Sequence, residues 1–255
     1  MAGGVNDLAV WLASSVLLSL RVAPVFVLAP PFTLTRVPRL FLWLFGLGIA
    51  MTLVAAYPDS ARVADLKVST LAIGAAREFM LGLTPVLALQ LMFGMLYIVG
   101  RTIDIQAGFG LALLIDPATR GQTPITGTIF AYLAGISFFA INGHHELLRF
   151  FAASLELVPL GAGHNGGGLT ALTAYMSTIF LLACGVGAAA MLALFIADLS
   201  IAMLSRTIPQ LNALLLGIQV KAALVIFALP VAIGLSGAVL AQMCSTALRA
   251  IARLI

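Results

Sequence analysis

Residues 169–197, LTALTAYMSTIFLLACGVGAAAMLALFIA, and residues 222–248, AALVIFALPVAIGLSGAVLAQMCSTAL, contain no Asp, Glu, Lys or Arg. Each run exceeds the about 20 apolar residues that a helix needs to cross the hydrocarbon of a bilayer. In lipid an open chain satisfies its backbone N–H and C=O groups only as helix. Working outward, Leu8 to Pro31 is apolar apart from Arg21, with Pro24 and Pro30-Pro31 expected to bend or end it. Leu40 to Pro58 has no charge, Leu71 to Gly100 is apolar except for Arg77 and Glu78, and Gly121 to Gly143 is uncharged. The reading is all-α: a hydrophobic, multi-helix, membrane-associated protein with about six long helical segments.

Composition supports this. The 255 residues are 62% hydrophobic and 9% charged, against about 45–50% and about 25% in soluble domains. A soluble globule of this size would expose on the order of 10,000 Å², far more than 13 Lys+Arg and 9 Asp+Glu can keep wet. The hydrophobicity excludes disorder, and two cysteines exclude a disulfide scaffold. The net charge of +4 is carried by basic residues scattered singly, so nucleic acid is not expected as a partner. Met1 to Asp7 lacks the basic residues that open a secretory signal, so the first hydrophobic stretch is expected to stay in the mature chain. Lys and Arg counted on alternate sides give no orientation: Arg36, Arg39, Arg101, Arg120 and Arg206 balance Arg62, Lys67, Arg149, Arg249 and Arg253.

The connecting stretches are unusual. Arg101 to Gln122 mixes Arg101, Asp104, Asp116 and Arg120 with Gly108, Gly110 and Pro117, yet its middle, Phe109 to Ile115, is apolar. That run is too short to span a bilayer and too hydrophobic for an exposed loop, which leaves a buried loop or a re-entrant one. His145 to Leu160 carries Leu147, Leu148, Phe150, Phe151, Leu155 and Val158 near helical spacing, with Glu146, Arg149, Ser154 and Glu156 opposite. It reads as an amphipathic helix ended by Pro159 and Gly161. Leu169 to Leu248 is expected to fold as a long antiparallel hairpin turning near Pro209-Gln210, because proline removes a donor and disfavours helix in the residue before it. Asp198 and Lys221 lie equally far from that turn and should share a depth, about 17 Å along each arm.

Charges inside apolar stretches are expensive, and here Arg21, Arg77 with Glu78, Asp198 and Lys221 form the set. Because acids are matched by bases, pairing between helices or subunits is favoured over a proton pathway. His144-His145-Glu146 lacks the i, i+4 spacing that lets two histidines face one metal, so a loop or cap role is expected. Gly234-Leu235-Ser236-Gly237 matches the surroundings of an intramembrane serine nucleophile, but no histidine base stands in a long apolar segment. Small-residue helix packing, with Gly237 and Ala241, is the reading there. No enzyme, cofactor or metal site emerges.

Several motifs occur in one order along the chain. They are Arg21-Val22-Ala23-Pro24-Val25-Phe26 with Pro38-Arg39, then Asp104-Ile105-Gln106-Ala107-Gly108-Phe109 with Asp116-Pro117-Ala118-Thr119. Next come Gly143-His144-His145-Glu146-Leu147-Leu148 with Ser154 and Val158-Pro159-Leu160-Gly161, then Ser205-Arg206-Thr207-Ile208-Pro209-Gln210-Leu211-Asn212 with Gly217 and Lys221. Together they resemble the flagellar biosynthesis FliR family, whose pattern the equivalent subunit of virulence injectisomes shares. The resemblance implies a non-enzymatic core subunit of a type III protein export gate in the bacterial inner membrane, at the flagellar basal body. Its partners would be FliP and FliQ, which complete a closed pore for unfolded flagellar proteins, with FlhB, FlhA and lipid as neighbours. It further implies a FliP-like part over residues 1–168 with a central plug loop over 104–120, and a FliQ-like hairpin over 169–255. Gly108, Phe109, Gly110, Leu111, Leu113 and Leu114 would form the plug. Arg77, Glu78, Asp198, Arg206 and Lys221 would pair or meet other subunits, and His144, Pro209, Gln210 and Asn212 belong to the signature. A secondary transporter of a small solute is the competing reading. It predicts internal repeats, and none is visible.

Overall fold

The computed structural model describes residues 2–63, 65–109, 124–162, 168–208 and 213–254. It is helical throughout, with no strand among the described residues. The helices are α1 (Ala2–Leu28), α2 (Arg39–Ala56), α3 (Val68–Gln106), α4 (Ile125–Ala140), α5 (Gly143–Leu157), α6 (Leu169–Thr207) and α7 (Ala213–Leu254), with a 3-10 turn at Phe32–Leu34. Five are long and apolar enough to cross a membrane, and α4 with α5, bent by 65°, raises the number to six if that pair is one span. The six expected segments are therefore present. Helices α3 and α6, at 39 residues each, and α7, at 42, outrun the apolar runs that define them. At about 1.5 Å per residue each is about twice as long as a bilayer core of about 30 Å is thick.

Pro24, Pro85 and Pro230 lie inside α1, α3 and α7 and end none of them. Of the prolines expected to bend or end the first segment, Pro24 lies within α1, which runs on to Leu28 and stops before Pro30-Pro31. A proline inside an apolar helix loses one backbone bond, which neighbouring helices make tolerable.

The chain forms two compact units. The first comprises Met1–Leu91, Phe138–Met176 and Ser245–Ile255. Helix α1 is its centre, with Leu18, Val22, Ala23 and Val25 fully buried. A Cβ on Gly82 would lie 2.6 Å from the Arg21 carbonyl oxygen, so α3 crosses α1 in backbone contact that only glycine permits. Gln90 of α3 donates to the Leu28 carbonyl at the end of α1 (2.5 Å). Phe32 packs edge-on to Phe138 and Phe139 at 6.2 and 6.0 Å, within the range of favourable ring contacts. The amphipathic helix appears as α5, burying Leu147, Phe151 and Leu155 and exposing Glu146, Arg149 and Glu156. It stops at Leu157, before Pro159 and a left-handed Gly161 (φ 78°).

The second unit comprises Met92–Ser137 and Ser177–Cys244. A Cβ on Gly100 would overlap the backbone of Gly127, so α3 and α4 touch where both lack side chains. Asp198 pairs with Lys221, Gly217 faces Ile201, and Gly185 faces Val239. As one member of each pair advances the other recedes, so α6 and α7 run antiparallel, as expected for 169–248. The expected turn near Pro209-Gln210, and Asn212 of the signature, lie outside the described residues.

Candidate functional site: buried charges and the root of the central loop

Arg21 projects from α1 into the interior of the first unit and is 1% exposed. Its Nε and Nη2 donate to Glu78 Oε2 and Oε1 at 2.6 and 2.9 Å, the bidentate fork that guanidinium and carboxylate form best. Nη1 donates to the Ser154 carbonyl and Oγ, both at 3.1 Å, and Nη2 also donates to the Val158 carbonyl at 3.0 Å. A guanidinium has five N–H donors, and these five bonds match them. Glu78 accepts one more bond, from the Gly161 N–H at 2.8 Å. One cation thus ties α1 to α3 and to the end of α5, where the Ser154 carbonyl also accepts the Val158 N–H and the Val158 carbonyl lies past the last helical residue.

One expectation is corrected here, that of Ser154. Glu78 pairs with Arg21 of another helix, while its sequence neighbour Arg77 points about 100° away. Arg77 is exposed and donates to the Gly161 carbonyl at 3.0 Å. Ser154, expected on the outward polar face of the amphipathic helix, is buried against Arg21.

The central loop leaves α3 and re-enters at α4, and its two roots are stapled together. Asp104 is 7% exposed, and its carboxylate accepts from the Thr126 hydroxyl at 2.5 Å and the Thr126 N–H at 3.3 Å. A side chain of α3 thereby serves an orphan donor in the first turn of α4, as an N-cap would. Helix α3 then stops through Ala107 N–H to Ile103 O (2.8 Å) and Gly108 N–H to Ile105 O (3.1 Å). Gly108 has φ 88°, the left-handed position after a helix end where glycine is favoured. A Cβ there would be 3.4 Å from Ile218 Cγ2 of α7. Phe109 is half-buried. Gly110, Leu111, Leu113 and Leu114, with which the plug was expected to continue, lie outside the described residues.

On the hairpin, Asp198 and Lys221 meet as an ion pair, with 48% and 21% of their side chains exposed. Arg206 is exposed near the end of α6. His144 lies in the first turn of α5, its ring 5.5 Å from Phe139 and 4.2 Å from His145. No cluster of His, Cys, Asp and Glu that could hold a metal occurs among the described residues. Ser236 Oγ donates to the Ile233 carbonyl of its own helix at 3.0 Å. The packing expected at Gly237 is not found among the described residues: a Cβ at Gly234 or Gly237 would meet nothing of theirs within 4 Å.

Sequence reasoning missed Asp104 and Thr126. The available signal was an acid four residues before a Gly108-type helix stop, facing a Thr at the start of the next apolar run.

The family described as bacterial export proteins, family 1, matches residues 12–247. The chain is 29% identical over 153 residues to the flagellar biosynthetic protein FliR of Bacillus subtilis, covering 58% of this chain and 59% of that one. It is 28% identical over 201 residues to FliR of Escherichia coli, covering 78% and 76%. It is 30% identical over 154 residues to the surface presentation of antigens protein SpaR of Shigella flexneri, covering 59% of each. The match thus spans less than two thirds of the Bacillus subtilis relative.

Proposed function

Since the chain belongs to family 1 of the bacterial export proteins, we propose that it is a non-enzymatic core subunit of a type III protein export gate in the bacterial inner membrane. The match over residues 12–247 carries this reading, and the flagellar relative covering 78% of the chain favours the flagellar gate. In this proposal the subunit joins FliP and FliQ, next to FlhA and FlhB, in a closed pore for unfolded flagellar proteins. Residues 1–168 form the FliP-like part and 169–255 the FliQ-like hairpin. The exposed apolar side chains of that hairpin, Phe180, Leu181, Phe195, Ile226 and Phe227 among them, support it, because such a surface must face lipid or other subunits. Co-expression with FliP and FliQ and purification in mild detergent is the test. A stable multi-subunit complex is expected, and a monomer stabilised by a small solute would favour a transporter instead. The Shigella flexneri relative supports the injectisome as second reading. Restored motility in a flagellated bacterium lacking its own FliR would decide for the flagellar gate.

Within this pore the loop rooted at Asp104 and Thr126 acts as the plug. Gly108, Phe109, Gly110, Leu111, Leu113 and Leu114 exclude water and ions until substrate displaces them. The stapled root supports this, since a plug must hold its place at both ends. Phe109→Gly, or deletion of Gly110 to Ile115, should raise ion conductance through the assembled complex. An intact complex at closed-level conductance in both variants would reject the plug.

A further inference from the structure

A groove of about 330 Å³ runs between α5 and the last turns of α7, inside the first unit. Its walls are apolar, from Leu147, Phe150 and Leu157 on one side and Leu248, Ile251 and Ala252 on the other. Arg149 and Arg249 line it too. Among the described residues Arg149 is paired with Glu146 of its own helix, 2.8 Å away, and both side chains are at least half exposed. A pair of that kind is worth at most about 1 kcal/mol and gives way readily to a better anion. Arg249 leans along its own helix, its Nε donating to the Ser245 carbonyl at 3.2 Å. No carboxylate pairs with Arg249 among the described residues. Two cations therefore face one carboxylate over an apolar floor, with Arg253 exposed one turn further on. An apolar slot bordered by arginines fits a ligand with a hydrocarbon tail and a phosphate head, because the guanidinium fork matches phosphate oxygens. Basic pockets between membrane helices bind anionic lipid head groups in this way.

We propose that this groove binds an anionic phospholipid of the surrounding membrane, with Arg149 and Arg249 on the phosphate and one acyl chain along the floor. The volume lies at the low end of ligand pockets, about 300–1,000 Å³, which suits a segment of one chain and not a whole lipid. A carboxylate from a neighbouring subunit is the competing occupant.

The test uses the full-length chain, purified with its co-assembling subunits, in discs of phosphatidylcholine with or without phosphatidylglycerol. A photoreactive acyl group is carried on one lipid or the other. Peptides covering 146–157 and 248–254 should be labelled preferentially by the phosphatidylglycerol probe. Arg149→Gln and Arg249→Gln should each reduce that preference about fivefold, the effect of about 1 kcal/mol per basic residue. Ala153→Trp fills the groove while keeping both arginines in the chain and should abolish labelling there by both probes. All three positions are exposed, so the fold tolerates these changes. Equal labelling by the two lipids, or a preference unchanged when Arg149→Gln and Arg249→Gln are combined, would overturn the proposal. So would a photoreactive side chain at position 153 that cross-links to a neighbouring subunit and not to lipid.

Discussion

Glu78 and Asp198 are both carboxylates on long apolar helices, and each meets one basic partner, yet they occupy opposite physical regimes. Glu78 is fully buried and receives two bonds from Arg21 and one from a backbone N–H, while Arg21 spends its remaining donors on Ser154 and Val158. Asp198 is half exposed and meets Lys221 on a helix pair whose neighbouring side chains, Phe195, Ile196 and Leu199, point outward. Taking two charges out of water costs several kcal/mol per ion and is repaid only by excellent geometry and full hydrogen bonding. The first pair meets that demand within one chain. The second is left on a surface, where its partner can be exchanged and its value depends on what covers it. Acid–base pairing serves as an internal clamp in one place and as a surface contact in the other.

The largest effect is expected where burial is complete. Glu78→Ala leaves the Arg21 charge unpaired at a cost of about 3–5 kcal/mol, so the full-length variant should barely accumulate in membranes and should lose most of its heat resistance. Arg21→Met combined with Glu78→Leu removes both charges and should recover most of it. A heat resistance for Glu78→Ala equal to the parent's would remove the contrast between the two pairs.

Asp104 tests the middle of the range, being nearly buried but bonded to neutral donors. Asp104→Ala should cost about 1–3 kcal/mol by orphaning the Thr126 donors. Hydrogen exchange of the Thr126 to Thr128 amides should then accelerate. Asp104→Asn keeps an acceptor and should move exchange much less. Equal exchange in both variants would show that the staple does not hold the loop root.

The smallest stability change is expected on the hairpin. Lys221→Glu and Asp198→Lys should each shift stability by about 1 kcal/mol or less, while impairing subunit assembly and export. Joining the two reversals should restore part of both if the contact is direct. Normal export with both single reversals would sink any role for the pair in assembly.

How far the sequence discloses these features depends on whether they are local. The charge-free runs at 169–197 and 222–248 announce their helices because lipid-length apolar stretches have few other solutions. The proline at 209 placed a break between two helices that do run antiparallel. Asp198 could be matched to Lys221 because a hairpin converts sequence distance from its turn into depth. Arg21 and Glu78 are 57 residues apart and belong to no hairpin, so periodicity could mark both as costly without joining them. Ser154 misled for a related reason: polarity alone assigned it to the wet face, whereas the face it occupies is dry and the guanidinium is its solvent.

By itself, then, the sequence determined the all-helical class, the apolar segments, the amphipathic helix and the family motifs. These follow from composition and spacing within single elements. Only the tertiary structure decided that Arg21 would close on Glu78 and the end of α5, and that Asp104 would staple α3 to α4. It also decided that Gly82 would sit against the α1 backbone. Those contacts depend on which helix faces cross and how closely, a matter of packing between distant segments that no local pattern encodes.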